Sequence, residues 1–148
     1  MNELKEFLEI SQMFGKINDQ DLTALSDAME VDKFDGGHVF TRQGESSTAL
    51  HLLLEGTVQL HKKNSLTGTE NDPINLHIGD VFSQLALGHG ISNDNTCIAL
   101  GDVVTARLEK DTFATLKKAH PALEFSFQFI LASQLARELQ AINALSRA

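Results

Sequence analysis

The sequence is poor in the residues that several kinds of site require. It has no Trp, no Tyr and a single cysteine, Cys97, which excludes an internal disulfide and a metal site built from several cysteines. A lone cysteine is typical of a reducing compartment, so we expect a cytoplasmic protein with Cys97 as a small buried residue. No apolar run approaches the roughly 18 residues of a membrane span, and the charged, amphipathic start MNELKEFLEI is not a signal peptide.

Positive charge is also scarce. The chain has 12 Lys and Arg against 20 Asp and Glu, a formal net charge of −8. Direct binding to nucleic acid or to an anionic membrane needs Lys and Arg on the contact face, so neither partner is expected. The length of 148 residues with 42% apolar content fits one globular domain, which we place at 1–148.

Hydrophobic periodicity divides the chain into three zones. Residues 1–30 read as helices, with Leu4 and Leu8 at helical spacing and Asn18 as a helix N-cap. Residues 31–109 read as short strands separated by turns, such as the Gly36-Gly37 turn in DGGHVF. Residues 110–148 read as helices again, the last of them running from about 121 to 146. The order predicts an α+β fold: an antiparallel β-roll, jelly-roll or cupin-like, with N-terminal helices and a long C-terminal helix.

The stretch HIGDVFSQLALGHGISNDNTCIAL, residues 77–100, has the composition of a ligand loop. It opens with a turn at Gly79-Asp80, continues with a short helical run over 83–87, and then enters a Gly-rich and polar segment. Such loops hold small polar ligands, yet this one contains no Lys or Arg. Any anion bound here would therefore depend on backbone N–H groups.

Three segments together resemble the cyclic-nucleotide-binding domain. They are GGHVFTRQGE, LHLLLEGTVQL and IGDVFSQLAL, in the order and at the spacings of that family. The family is the ligand module of catabolite-activator regulators and of cyclic-nucleotide-dependent kinases and channels. The resemblance covers nearly the whole chain. It implies the fold described above, with residues 79–96 as the phosphate-binding cassette.

The cassette departs from the family pattern at its charge-reading positions. The family's Gly-Glu-Leu-Ala, whose Glu accepts a hydrogen bond from the ribose 2′-hydroxyl, is here Ser83-Gln84-Leu85-Ala86. The Pro-Arg-x-Ala-Thr that pairs with the cyclic phosphate is here residues 92–96, Ser-Asn-Asp-Asn-Thr. The ligand-binding residues implied by the resemblance, with the loop histidine added, are Gly79, Ser83, Gln84, Leu85, Ala86, His89, Asn93, Asn95 and Thr96.

Replacement of the cassette Arg by Asn93 removes a charge-assisted hydrogen bond, which contributes about 1.5–3 kcal/mol. The sequence therefore predicts a regulatory module with weak, altered or lost cyclic-nucleotide binding. No cofactor is required, and a cyclic nucleotide is the candidate ligand. The alternatives are a genuine sensor of cyclic mononucleotides or dinucleotides that controls an output domain, and a dimerisation or protein-interaction module whose pocket is a structural relic.

Catalysis and metal binding have little support. The chain has six histidines, but no His-x-His pair of the kind that cupin enzymes use. His89, between two glycines of the cassette, is the one histidine placed to supply a cation when protonated. We find no nucleophile–base pair and no paired carboxylates in a strand-lined cleft, so an enzyme is not expected.

The C-terminal helix carries an apolar stripe that includes Leu135, Leu139, Ile142 and Leu145. It predicts either packing on the chain's own roll or a homodimer, and we favour the homodimer. The regulators of the family continue into a helix-turn-helix domain, for which no residues remain here. The expected output is therefore a partner protein or a fused domain.

Overall fold

The helices and strands follow the order that the sequence predicts. A computed structural model describes residues 3–64, 66–87 and 92–146, with the backbone alone at Leu85 and Ser146. Within these residues, two helices come first, eight strands follow and two helices close the chain. The elements are α1 (Glu3–Ile10), α2 (Asp19–Ala28), β1 (Glu30–Phe34), β2 (Val39–Thr41), β3 (Ala49–Glu55), β4 (Val58–His61), β5 (Ile74–Leu76), β6 (Val81–Phe82), a 3₁₀ turn (Gln84–Leu87), β7 (Thr96–Ala99), β8 (Val103–Glu109), α3 (Lys110–Ala119) and α4 (Ala122–Ser146).

The strands form two antiparallel four-stranded sheets. One sheet has the order β1-β8-β3-β6 and the other β2-β7-β4-β5. β3 is the central apolar strand, because helices cover one of its faces and the roll interior covers the other. Leu50 and Leu52 pack with the helices, whereas Leu53 packs inside the roll with Val58 and Phe82. Burial of such a side chain contributes about 1.5–3 kcal/mol. The predicted antiparallel β-roll is confirmed.

Local signals set the ends of several elements. Asn18 caps α2, since its side-chain oxygen accepts a hydrogen bond from the Asp21 N–H at 2.9 Å. Gly56 turns the chain between β3 and β4 at φ 88°, where a Cβ would lie 2.5 Å from the Asp102 carbonyl oxygen. A side chain at this turn would clash with backbone that cannot move aside.

The helix α4 changes its mode of packing along its length. Its first half is anchored by Leu123, Phe127 and Ile130, each at most 2% exposed, and the Phe127 ring meets the Phe113 ring at 4.5 Å between centroids. The predicted stripe at Leu135, Leu139, Ile142 and Leu145 is 42–60% exposed. The first half of α4 is therefore packed into the core, whereas in the second half Ala141 packs against the roll and the stripe remains partly exposed. No helix among the described residues combines the length and apolar character needed to cross a membrane.

The roll interior holds a histidine among phenylalanines. His51 is 8% exposed and stacks on Phe82 with 5.1 Å between centroids. Its Nδ1 lies 3.0 Å from the Thr105 hydroxyl oxygen, so the buried ring has a hydrogen-bond partner. Burial lowers the pKa of His51 from 6.5 to about 4, and the positive charge of Arg107 contributes to the same shift.

We predict that His51 makes folding sensitive to acid. Because its pKa is lower in the folded protein, its stabilising contribution is complete above pH 6.5 and is lost as the pH falls toward 4. The shift corresponds to roughly 3 kcal/mol at about 1.4 kcal/mol per pKa unit. Urea unfolding at pH 7 and pH 4.5 should show a smaller loss of stability for His51→Gln than for the wild type.

The matched control is His77→Gln, at an exposed position, which should keep the wild-type dependence. The same loss of stability in the wild type and in His51→Gln would contradict the prediction.

Candidate functional site

A large cavity lies between α4 and the β-roll. It has a volume of about 540 Å³ and is bounded by β4, β5, residues 94–95 and the outer half of α4. Its apolar walls are Leu60, Ile74, Leu135, Leu139, Ile142 and Leu145, and its charged lining residues are Lys62, Asp72, Asp94 and Glu138. A concave, mainly apolar site with a few convergent polar groups is the usual form of a small-molecule site.

The short turn after β6 contacts α4 at Glu138, one of the residues that line this cavity. The Gln84 side chain is 7% exposed, and its Nε2 donates a hydrogen bond to the Glu138 carboxylate at 3.2 Å. Burial raises the pKa of the Glu138 carboxyl, the amide groups of Gln84 and Gln134 offset part of this rise, and Asp94 and Asp80 raise the pKa further. Glu138 therefore lies in an environment that lacks positive charge.

Two further contacts from the same turn of α4 hold the helix over the roll. The Gln134 side-chain oxygen accepts a hydrogen bond from the Val81 N–H at 2.9 Å. Arg137 Nη1 donates to the Asp80 carboxylate at 2.8 Å, and Asp80 is 7% exposed. We call Gln134, Arg137 and Glu138 the α4 polar row. It binds residues 80, 81 and 84, and so links α4 to the start of β6 and to the turn that follows it.

Asn93 lies against the β2–β3 loop. Its Nδ2 donates to the Glu45 carbonyl oxygen at 2.7 Å and lies 2.7 Å from the Ser47 hydroxyl oxygen. The backbone adds two bonds, from the Asn93 N–H to the Glu45 oxygen and from the Gly44 N–H to the Asn93 oxygen. Asn93 is 5% exposed and its donors are already occupied by this loop.

A second cavity, of about 410 Å³, opens beside the His51 cluster and is lined by Ser83, His38 and Arg107 among others. Arg107 is the cation nearest to this space, but three carboxylates surround it. It pairs with Glu30, with Asp32 at 3.4 Å and with Glu109 at 2.9 Å. Its charge is therefore already compensated and it offers little to an incoming anion. Among the described residues, no three His, Cys, Asp or Glu side chains converge as metal ligands.

Comparison with known protein families identifies the domain. A family model of the cyclic nucleotide-binding domain matches residues 31–120, which is more than half of the chain. The chain belongs to the cyclic nucleotide-binding domain family.

This chain spans only 15–24% of the length of the first curated kinases and kinase regulatory subunits that it resembles. The cGMP-dependent protein kinase egl-4 of Caenorhabditis elegans is 27% identical over 119 residues, which cover 78% of this chain and 15% of the kinase. A cyclic nucleotide-binding domain from Methylobacillus flagellatus has the same fold, with a TM-score of 0.79, 18% identity and coverage of 99% of this chain and 83% of that one.

A third similar structure is the regulatory subunit of a cAMP-independent protein kinase A from Trypanosoma brucei. It superposes with a TM-score of 0.69 at 23% identity and covers 90% of this chain and 50% of that one.

The structure places the predicted cassette residues of this cyclic nucleotide-binding domain in different environments. Asn95 lines the large cavity and Ser83 the second one, while Ala86 is 3% exposed within the fold. Gly79 forms its turn at φ 95°. The Thr96 hydroxyl oxygen accepts a hydrogen bond from the Gln43 N–H at 2.9 Å.

Four predicted ligand-binding residues remain, and the structure describes the side chains of two of them. Gln84 and Asn93 are both engaged in hydrogen bonds, as given above. His89 lies outside the described residues, and only the backbone of Leu85 is described, within the 3₁₀ turn.

Sequence reasoning missed the α4 polar row and the acidic lining of the cavity. The available signal was the spacing of Gln134, Arg137 and Glu138, at i, i+3 and i+4, which places them on one helical face. These polar residues follow Ile130, the last fully buried apolar residue of α4, and lie among the partly exposed apolar residues of its second half. Their partners cannot be inferred from α4 alone, since each lies more than 50 residues earlier in the chain.

The backbone at Ser83 generates a stability prediction. Ser83 has φ 60°, and its buried hydroxyl has no hydrogen-bond partner among the described residues. The left-handed region is costly for a residue with a Cβ, so Ser83→Gly should be about 1 kcal/mol more stable than Ser83→Ala. Both variants lack the hydroxyl, and the comparison therefore isolates the backbone term. Chemical denaturation measures it.

The control is the same pair at Ser133, inside α4. There Gly should be less stable than Ala by about 1 kcal/mol, because the helix interior favours Ala. If Ala is the more stable residue at position 83 as well, the backbone argument is wrong.

Proposed function

We propose that this protein is a non-enzymatic regulatory module in which cyclic-nucleotide binding is weak, altered or lost. The observation that carries the proposal is Asn93, which stands where the family pattern has its phosphate-binding Arg and donates to Glu45 and Ser47. A ligand phosphate would have to compete with those bonds. Asn93 also carries no charge to strengthen a bond with the phosphate.

The position that reads the ribose supports the same proposal. Gln84 lacks the negative charge of the family's Glu, and its amide already donates to Glu138. A ribose hydroxyl can still donate to the Gln84 carbonyl oxygen, but to a neutral acceptor. Loss of a charge-assisted bond corresponds to roughly 10- to 100-fold in affinity.

The relatives point to a regulatory role within a larger assembly. The similar proteins include a cGMP-dependent protein kinase and the regulatory subunit of a kinase described as cAMP-independent, of which a mutant bound to cAMP has also been solved. We propose that this chain likewise acts through a partner protein or a fused output domain, with α4 as the element that transmits the state of the cassette. A genuine cyclic-nucleotide sensor is the alternative, favoured by the intact roll and the 540 Å³ cavity.

Calorimetry with cAMP and cGMP tests the proposal. We expect a dissociation constant no lower than about tens of micromolar, because the charged partners for phosphate and ribose are both absent. Submicromolar binding to the wild type would favour the alternative.

A second test restores the charged residues of the family pattern at positions 84 and 93, and the contacts of Gln84 decide how this is done. Gln84→Glu alone would set a second carboxylate against Glu138, so Gln84→Glu and Asn93→Arg should be combined with Glu138→Gln. The triple variant should bind cAMP at least about tenfold more tightly than the wild type. Its control, Gln84→Glu with Glu138→Gln, keeps Asn93 and should gain less. No gain from the added Arg would contradict the phosphate assignment.

We also propose a homodimer through α4. Leu135, Leu139, Ile142 and Leu145 are 42–60% exposed, and a second α4 laid against them would bury apolar area worth about 25 cal/mol per Å². The seam would have two-fold symmetry, as is usual for a self-complementary surface.

Light scattering at tens of micromolar should give about twice the monomer mass of 16.2 kDa. Leu139→Glu should give the monomer mass, because it places a charge on the seam. Leu66→Glu, at a position that is 94% exposed, should remain dimeric. A monomeric wild type, or a dimeric Leu139→Glu, would contradict the proposal.

A further inference from the structure

The charges around the large cavity are the opposite of those that a phosphate needs. Among the described residues, three carboxylates line it, from Asp72, Asp94 and Glu138, against one cation, Lys62. Lys62 lies 3.9 Å from the Asp94 carboxylate, so its charge is shared with an acid of the same rim. The other cation close by is Arg137, which is bound to Asp80.

Two of the three carboxylates have no cationic partner in the part of the chain that the structure describes. Among the described residues, no salt bridge includes Glu138 or Asp72. Glu138 is partly buried and accepts a hydrogen bond from a neutral amide, that of Gln84. A carboxylate in such a position is stabilised by a positive charge brought to it.

The walls define the rest of the ligand. Six aliphatic side chains line the space, two from β4 and β5 and four from α4. The four from α4 are also the proposed dimer seam, so in the dimer the second α4 would form an outer wall of the occupied cavity. A volume of about 540 Å³ falls in the usual range for drug-sized ligands. Aliphatic walls favour an apolar body of the ligand, at about 25 cal/mol per Å² of apolar area buried.

We propose that this cavity binds a small amphipathic amine, with its apolar body against the leucines of α4 and its ammonium group against Glu138 and Asp94. The inference rests on the proposed function, since it names the altered ligand class of the same regulatory site. The ammonium would bind Glu138 next to the hydrogen bond between Glu138 and Gln84. Binding would therefore change the environment of Gln84, in the turn that follows β6.

A matched set of eight-carbon probes tests the ligand class. Calorimetry with n-octylammonium chloride, 1-octanol and sodium octanoate compares positive, neutral and negative head groups on the same apolar body. For the wild type we expect octylammonium to bind at least about tenfold more tightly than octanoate, as one charge-assisted hydrogen bond requires. Equal affinities, tighter octanoate binding or no binding of any probe would overturn the inference.

The double variant Asp94→Asn with Glu138→Gln assigns the preference to these carboxylates. It should lose most of the preference for the amine and keep its affinity for octanol. Glu55→Gln, an exposed position that does not line the cavity, is the control and should behave as the wild type. An undiminished preference in the double variant would overturn the assignment.

Methyl NMR locates the site and separates this inference from the proposed function. Octylammonium should shift the methyl resonances of Leu139 and Ile142, and binding that leaves both unchanged would overturn the location. Regulation is read separately from the side-chain amide of Gln84. If the amine binds with the expected preference but this resonance does not respond, the ligand class stands and the regulatory function fails. If nucleotide binding shifts the Gln84 resonance while the amine shows no preference over octanoate, the regulatory function stands and the ligand class fails.

Discussion

The attachment of α4 to the roll depends on one row of polar contacts. The fully buried apolar residues of this helix lie in its first half, and Ile130 is the last of them. From there Gln134, Arg137 and Glu138 bind residues 81, 80 and 84. The row therefore holds this part of α4 against residues 80–84, beside the cavity that the outer half of the helix lines. Because buried hydrogen bonds are costly to leave unmade, at about 1–3 kcal/mol each, this arrangement resists small displacements.

Two of the described cassette residues are bound by the protein's own groups. In the family pattern the charged residues of the cassette are directed to the nucleotide. Here Gln84 binds α4 and Asn93 binds the β2–β3 loop. The side-chain donor of Asn93, which a ligand phosphate would need, is thus occupied by the protein's own groups. Both positions carry a neutral side chain with an internal partner in place of a charged ligand contact, which is consistent with weak or altered nucleotide binding.

The charge balance of the site adds a second constraint. Lys62 and Arg137, the cations close to the large cavity, are paired with Asp94 and Asp80, and Glu138 has an elevated pKa because it is buried. A phosphate entering this region would meet uncompensated carboxylates. Selection between ligands at such a site is set by repulsion of the wrong charge as much as by attraction of the right one.

The sequence by itself determined the fold class. Strand punctuation, the Gly-Asp turn and the apolar stripe of the last helix are local signals, and the structure confirms the roll and its flanking helices. The absence of Lys and Arg from the cassette, with Asn93 in place of the family's Arg, is also evident from the sequence. The tertiary structure alone decided which groups meet. Neither the pairing of Gln84 with Glu138, 54 residues apart, nor the reach of Asn93 to Ser47, 46 residues apart, can be read from periodicity. Hydrophobic patterns specify which face of an element is buried, but the partner of a buried polar group depends on how distant elements are packed together.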